Sequence, residues 1–361
     1  MRWITVLVAA LALVACGRKA ETPSQTPVAN APDVREVAAA DSFGVAGERV
    51  TDVAFWSHPA IAFESLLFAA AGGKLSAYSI ETGETRFEIP GAAERVDIFY
   101  AGEGPGALGH LLATGDGIDR LYTIDQDGRG FKQVSIGIGG PLSGERCVAG
   151  GANPALYELT DGALTIRSIK IAGDNAQLSS MQRVAEIANG VACSVDPLTG
   201  EVFVTSADGA IRRVDPASGT VFGLAMPRDL NPASAALATG QNERGEPVGQ
   251  VAALKAGGAT VSLFDAKDGH AIGDFRIKAT FDLEAVETAI RIEIGAANYG
   301  GVYRGGALAI VTEGGGAPVR LVPWNGVMGA LSLPVAAVID PRNPGGDPVE
   351  EDVISIDLIE P

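Results

Sequence analysis

The stretch Val191–Asp215, VACSVDPLTGEVFVTSADGAIRRVD, sets the pattern for the chain. Its apolar runs are separated by Asp196-Pro197-Leu198-Thr199-Gly200 and by Asp208-Gly209, and the third run ends at Asp215. Asp, Gly, Pro and Thr between short runs of β-branched residues are turn formers, so the stretch reads as three strands turning into a fourth. Comparable units begin near Thr51, Val96, Cys147, Val191, Ala235 and Ile290, about 45 to 55 residues apart, which suits a four-stranded blade. Helical periodicity is nearly absent. The six starts predict an all-β chain folded as a six-bladed β-propeller of four-stranded antiparallel blades. Each blade carries an apolar face that only a neighbour covers, so the ring must close. The tail Asp352–Leu358 alternates like a further strand, suited to completing a blade or covering an edge.

At the other end, Arg2 precedes an apolar run from Ile4 to Val14. The run is too short to span a bilayer and reads as a signal peptide over residues 1–15. Leu13-Val14-Ala15-Cys16 resembles a bacterial lipobox, which makes Cys16 a lipidated anchor to the membrane; an ordinary secretory signal that carries a cysteine is the alternative. Gly17 lacks the aspartate associated with inner-membrane retention, so the implied location is the cell envelope, at the outer membrane facing the periplasm or the surface. Residues 16–47, rich in Ala, Pro, Thr, Ser and Asn, read as a lipid-anchored flexible linker. Residues 48–361 read as the propeller domain. The formal net charge of −17 argues against nucleic acid as a partner.

Three segments of the first blade and the start of the second carry a family resemblance: Thr51-Asp52-Val53-Ala54-Phe55-Trp56, Gly72-Gly73-Lys74-Leu75 and Arg95-Val96-Asp97-Ile98-Phe99-Tyr100. Further matches are Glu145-Arg146-Cys147-Val148, Val191-Ala192-Cys193, Ala307–Gly314 and Arg320-Leu321-Val322-Pro323-Trp324, which together span nearly all of residues 50–330. The chain resembles the β-propeller phytase family. The resemblance implies 3-phytase chemistry, the calcium-dependent hydrolysis of phosphomonoesters of inositol hexakisphosphate (phytate), in which calcium ions bridge carboxylates and phosphate.

Carried over residue by residue, the resemblance gives Asp52, Asp97 and Arg320 catalytic roles and makes Asp52, Asp97, Asp229 and Glu313 metal ligands. Other family positions have lost their chemistry. Thr51 and Val53 stand for an aspartate and a proline, Val191 for a glutamate, Ser206-Ala207 for an acidic pair and Asn231 for a glutamate. A centre with so many neutral positions implies a reduced number of calcium sites. His58, His110 and His270 show no zinc or triad spacing and read as surface or loop residues. Cys147 and Cys193 fall at equivalent points of adjacent inner strands in an oxidising compartment, and form either a disulfide or two buried thiols. Two readings of function follow. One is a phosphoric monoester hydrolase, 3-phytase-like, acting on phytate or a related phosphate ester. The other is a non-catalytic propeller that binds a ligand or a partner protein in the cell envelope.

Overall fold

The computed structural model describes residues 33–346, apart from 92–93, 138–141, 143–144, 228 and 314–315. Cys16 with its signal peptide, residues 16–32 of the linker and the tail Asp352–Leu358 lie outside the described residues.

Two short strands come first, β1 (Arg35–Ala38) and β2 (Asp41–Phe43). A four-stranded antiparallel sheet follows, formed by β3 (Val50–Trp56), β4 (Leu66–Ala71), β5 (Lys74–Ser79) and β6 (Thr85–Pro90). One nine-stranded sheet takes in β7 (Arg95–Ala101), β8 (Leu108–Gly115), β9 (Ile118–Ile124), β10 (Phe131–Gly137), β11 (Arg146–Ala149), β12 (Ala155–Thr160), β13 (Ala163–Ala172), β14 (Asn175–Leu178) and β15 (Gln182–Glu186). Next is a four-stranded sheet of β16 (Gly190–Val195), β17 (Val202–Ser206), β18 (Ile211–Asp215) and β19 (Thr220–Gly223). A five-stranded sheet joins β20 (Leu230–Gln241), β21 (Pro247–Lys255), β22 (Val261–Asp265) and β23 (Ala271–Lys278) to β1. The last sheet has four strands, β24 (Ala289–Gly295), β25 (Ala307–Thr312), β26 (Val319–Pro323) and β2, and α1 (Trp324–Ala330) follows it.

The described chain is therefore all-β, with five sheets of mixed size where the repeat predicts six of four strands. The difference lies in β13, which is ten residues long. Its first half pairs with β15 and its second with β14, and β14 runs parallel to Ser135–Gly137 of β10, which fuses two strand groups into one sheet.

The turn chemistry read from sequence fixes the hairpins. Asp116-Gly117 and Asp161-Gly162 take positive φ at both residues and join strands through two-residue loops, Gly115 facing Ile118 and Thr160 facing Ala163. That is the backbone of the tight hairpin turn whose twist matches the strands it connects.

The first strands β3, β7, β11, β16, β20 and β24 pack side by side in sequence, and β24 packs against β3, which closes a ring. Apolar clusters fill the space between successive strand groups. Trp56, Phe68 and Leu75 meet Leu111 and Tyr122; Phe99 and Leu112 meet Leu156 and Ile169; Leu254 and Phe275 meet Ile292 and Ile310. The closing interface joins Phe55 and Leu67 to Tyr299 and Ala309.

The folded part begins before Glu48, within the stretch read as a linker. β2 pairs antiparallel with β26 and supplies the outer strand of the last sheet, while β1 pairs parallel with β23. Phe43 and Val37 are buried in these contacts, and Tyr303 donates to Asp41 Oδ2 at 2.5 Å. Strands of three and four residues carry too little pattern to stand out, and they form because open sheet edges hold them.

Candidate functional site

The ring of first strands encloses a cavity of about 370 Å³. Side chains alternate across a strand, so residues two apart share a face. In β7 this sets Arg95 and Asp97 on the cavity wall, and in β24 it sets Arg291 and Glu293 there. The same Arg-x-acid spacing thus recurs in two strands and builds one polar end.

That end is an ion-pair network. Asp52 is 2% exposed; its Oδ1 accepts from the Val53 amide and pairs with the Arg291 guanidinium, and its Oδ2 accepts from the Val96 amide at 3.0 Å. Asp97 Oδ2 lies 3.2 Å from Nε of the fully buried Arg146 and 3.9 Å from Arg95 Nε. Arg146 also pairs with Asp119 at 2.8 Å, and Arg95 with Glu145 at 2.9 Å. Burial pushes the Asp52 carboxyl above its usual range, against the pull of Arg291. Glu293 is half-buried and lines the cavity; burial pushes it up to about 8, with Asp52 and Asp97 adding to the shift and Arg291 opposing it. It is therefore a protonated hydrogen-bond donor at neutral pH.

The segment 337–344 runs across the opposite end. Ala337 exchanges two backbone hydrogen bonds with Gln241 at the end of β20, and the Ile339 amide donates to Ala296 O at 3.2 Å. Arg342, 3% exposed, donates to Ser57 O and lies 4.3 Å over the Tyr100 ring and 5.8 Å from the Trp56 ring. The Tyr100 hydroxyl accepts from the Ser57 amide at 2.7 Å, and burial pushes its pKa up to about 12. Ile339 and Pro341 form part of the cavity floor.

Cys147 and Cys193 are joined in a disulfide that ties β11 to β16 in the cavity wall, with Cα atoms 5.5 Å apart. This resolves the choice between bridge and free thiols. Neighbouring inner strands bring the two residues within disulfide reach because both occupy the same level of the ring.

Of the residues nominated from sequence, the structure brings together Asp52 and Asp97. Asp229 and Glu313 are exposed, outside the cavity lining. Arg320 is buried on β26, also outside it. Gly314, which completes the Glu313-Gly314 match, lies outside the described residues. His110 is not a surface residue: it is 2% exposed, stacks on Phe99 at 5.3 Å between ring centroids, and burial pushes its pKa down to about 4. His58 does sit at a turn, where Nδ1 accepts from the Ala60 and Ile61 amides, and His270 is exposed beside Asp268. The residues that sequence reasoning missed are Arg291, Glu293 and Arg342. The recurring Arg-x-acid spacing was a usable signal for the first two.

The residues at the polar end do not fit a calcium centre. Calcium takes about six to eight oxygen ligands. Here both Asp52 oxygens already accept backbone hydrogen bonds, and Arg95, Arg146 and Arg291 stand against the carboxylates. The guanidiniums use the lone pairs a cation needs and repel its charge.

Neither a protein-family model nor a curated protein matches the chain. Among solved structures it is similar to the β-propeller domain of Cps50 (Swd1) from Myceliophteria thermophila, at 13% identity and a TM-score of 0.42, over 76% of this chain and 83% of that one. It is also similar to BBS1N, solved in complex with ARL6DN, at 15% identity and a TM-score of 0.43, over 75% of this chain and 77% of that one.

Proposed function

We propose that the chain is a six-bladed β-propeller that binds a small amphipathic molecule in its central cavity and does not hydrolyse phosphate esters. In this reading β7–β10 form one blade, β11–β13 with β15 form the next, β14 bridges the two, and β2 completes the sixth. The lipobox-like Leu13-Val14-Ala15-Cys16 supports attachment to the envelope membrane, at the outer membrane.

The observation that carries the reading is a polar end whose Asp52 and Asp97 carboxylates are spent on guanidiniums, beside a cavity crossed at its other end by the chain itself. Metal-assisted phosphate hydrolysis needs carboxylate oxygens free to hold cations against the substrate. A wall containing Leu237, Ile294 and Tyr299 below Glu293 and Arg291 suits a ligand with one apolar part and one hydrogen-bonding end. The full chain is titrated with the neutral fluorophore N-phenyl-1-naphthylamine. Saturable enhancement is expected, and Ala192→Phe, which fills the cavity from β16, is expected to remove it while the fold persists. Binding that is absent, or that is unchanged in Ala192→Phe, overturns the reading.

A further inference from the structure

A second, open pocket of about 430 Å³ lies on the last sheet, apart from the ring cavity, lined by Ser42, Asp282, Glu284, Ala317 and Arg320 among others. Its chemistry is set by Arg320, which is 6% exposed. Nη1 donates to Ala317 O at 2.6 Å, whereas Nε is buried without a hydrogen-bond partner. The other buried arginines have carboxylates: Arg146 pairs with Asp97 and Asp119, and Arg342 has Asp340 at 4.0 Å. Arg320 has none within 4.0 Å among the described residues. A guanidinium taken out of water without a counter-charge is costly, and an anion delivered to it recovers that cost.

With Nη1 engaged and Nε buried, Nη2 is the guanidinium nitrogen left to donate into the pocket, through a charge-assisted hydrogen bond of the kind a carboxylate oxygen accepts. The rest of the pocket is acidic. Asp282 and Glu284 are exposed on the segment that faces it, too far from Arg320 to form an ion pair. A simple anion bound at Arg320 meets these two negative charges, and a simple cation bound at them meets the guanidinium. A molecule with a carboxylate and an ammonium a few bonds apart satisfies both.

We infer that this pocket binds a small ammonium carboxylate of the α-amino-acid class, its carboxylate on Nη2 of Arg320 and its ammonium toward Asp282 and Glu284. Asp282 and Glu284 thereby act as specificity determinants, rejecting plain carboxylates and phosphates. The site is independent of the cavity inside the ring and needs no metal.

The test is saturation-transfer NMR on the full chain with the standard α-amino acids singly, and with acetate and methylammonium as single-charge controls. At least one amino acid is expected to saturate at a concentration tenfold or more below either control. Arg320→Gln, with its fold checked by thermal melting, is expected to abolish that binding. Asp282→Asn with Glu284→Gln is expected to weaken the amino acid fivefold or more and to leave acetate unchanged or tighter. The inference is overturned by the absence of amino-acid binding, by acetate binding as tightly as the amino acids, or by binding that survives in folded Arg320→Gln. If Arg320→Gln does not fold, unchanged amino-acid affinity in the exposed double variant is sufficient to overturn it.

Discussion

Replacing Arg342 by alanine removes the group that fastens segment 337–344 across the ring. The hydrogen bond from a charged donor to Ser57 O contributes about 1.5–3 kcal/mol. The face contact with Tyr100 contributes about 0.5–2 kcal/mol. Release of a guanidinium that is only 3% exposed offsets part of this, since its desolvation was a cost of folding. A net loss of about 2–4 kcal/mol, or about 30- to 1,000-fold in the opening equilibrium, is therefore expected for the segment. Amide hydrogen exchange reads it directly, because the Ala337 and Ile339 amides are protected only by Gln241 O and Ala296 O. Those two amides should lose protection by that factor while the amides of β4, buried throughout, change far less. Arg342→Lys keeps the charge but not the flat guanidinium over Tyr100, and should fall between the two. If the Ala337 and Ile339 amides keep their protection in Arg342→Ala, the residue is not the fastener. If β4 loses protection equally, the segment is part of the global core instead of a separate closure.

Three further outcomes follow from the geometry. Glu293, with its folded pKa near 8 against an ordinary value of 4.5, keeps its proton in the folded state over a range where the unfolded chain has lost it. The folded state then binds more protons, so this group's contribution to stability is complete below about pH 4.5 and is lost as pH rises through about 8. Glu293→Gln should flatten that decline in denaturant midpoints measured between pH 5 and 9, and an unchanged slope contradicts the assignment. Replacing both Cys147 and Cys193 by serine opens a 46-residue loop and should destabilise by up to about 4 kcal/mol, seen in urea unfolding and matched by wild type under reductant. Phe43→Ala should cost about 3–5 kcal/mol, since the ring is buried in the closing contact, whereas a residue in a flexible tether would give no change in midpoint.

The architecture was legible where turn chemistry and strand period act locally. Val191–Asp215 shows this best: its three runs became β16, β17 and β18, and the turns at Thr199-Gly200 and Asp208-Gly209 fall between them. Asp116-Gly117 and Asp161-Gly162 carry the same signal into the backbone angles. Pairings made between distant segments left no local mark. Nothing in Arg35–Phe43 announces strands, because their partners are β23 and β26 at the far end of the chain. The parallel contact between β10 and β14 that merges two strand groups is equally silent in sequence.

The site was half legible for a related reason. Asp52 and Asp97 were found through motif resemblance, and they do come close enough to influence each other, Asp97 on the cavity wall and Asp52 buried behind it. The same resemblance carried Asp229, Glu313 and Arg320 along, although Asp229 just before β20, Glu313 just after β25 and Arg320 on β26 all lie outside the lining of the ring cavity. What decides the chemistry is the arginine standing against Asp52 and against Asp97. Arg291 reaches Asp52 only because the last first strand closes onto the first, a contact spanning most of the chain. A motif read blade by blade does not contain that contact.

The measurement that bears most directly on the function is phosphate release from phytate by the full chain at saturating calcium, with and without chelator, on protein shown to be folded by thermal melting. No release that the chelator removes is expected. Calcium-dependent release that disappears in Asp52→Ala or Asp97→Ala would contradict it, because the ion-paired carboxylates would then have to exchange their guanidiniums for metal and support hydrolysis.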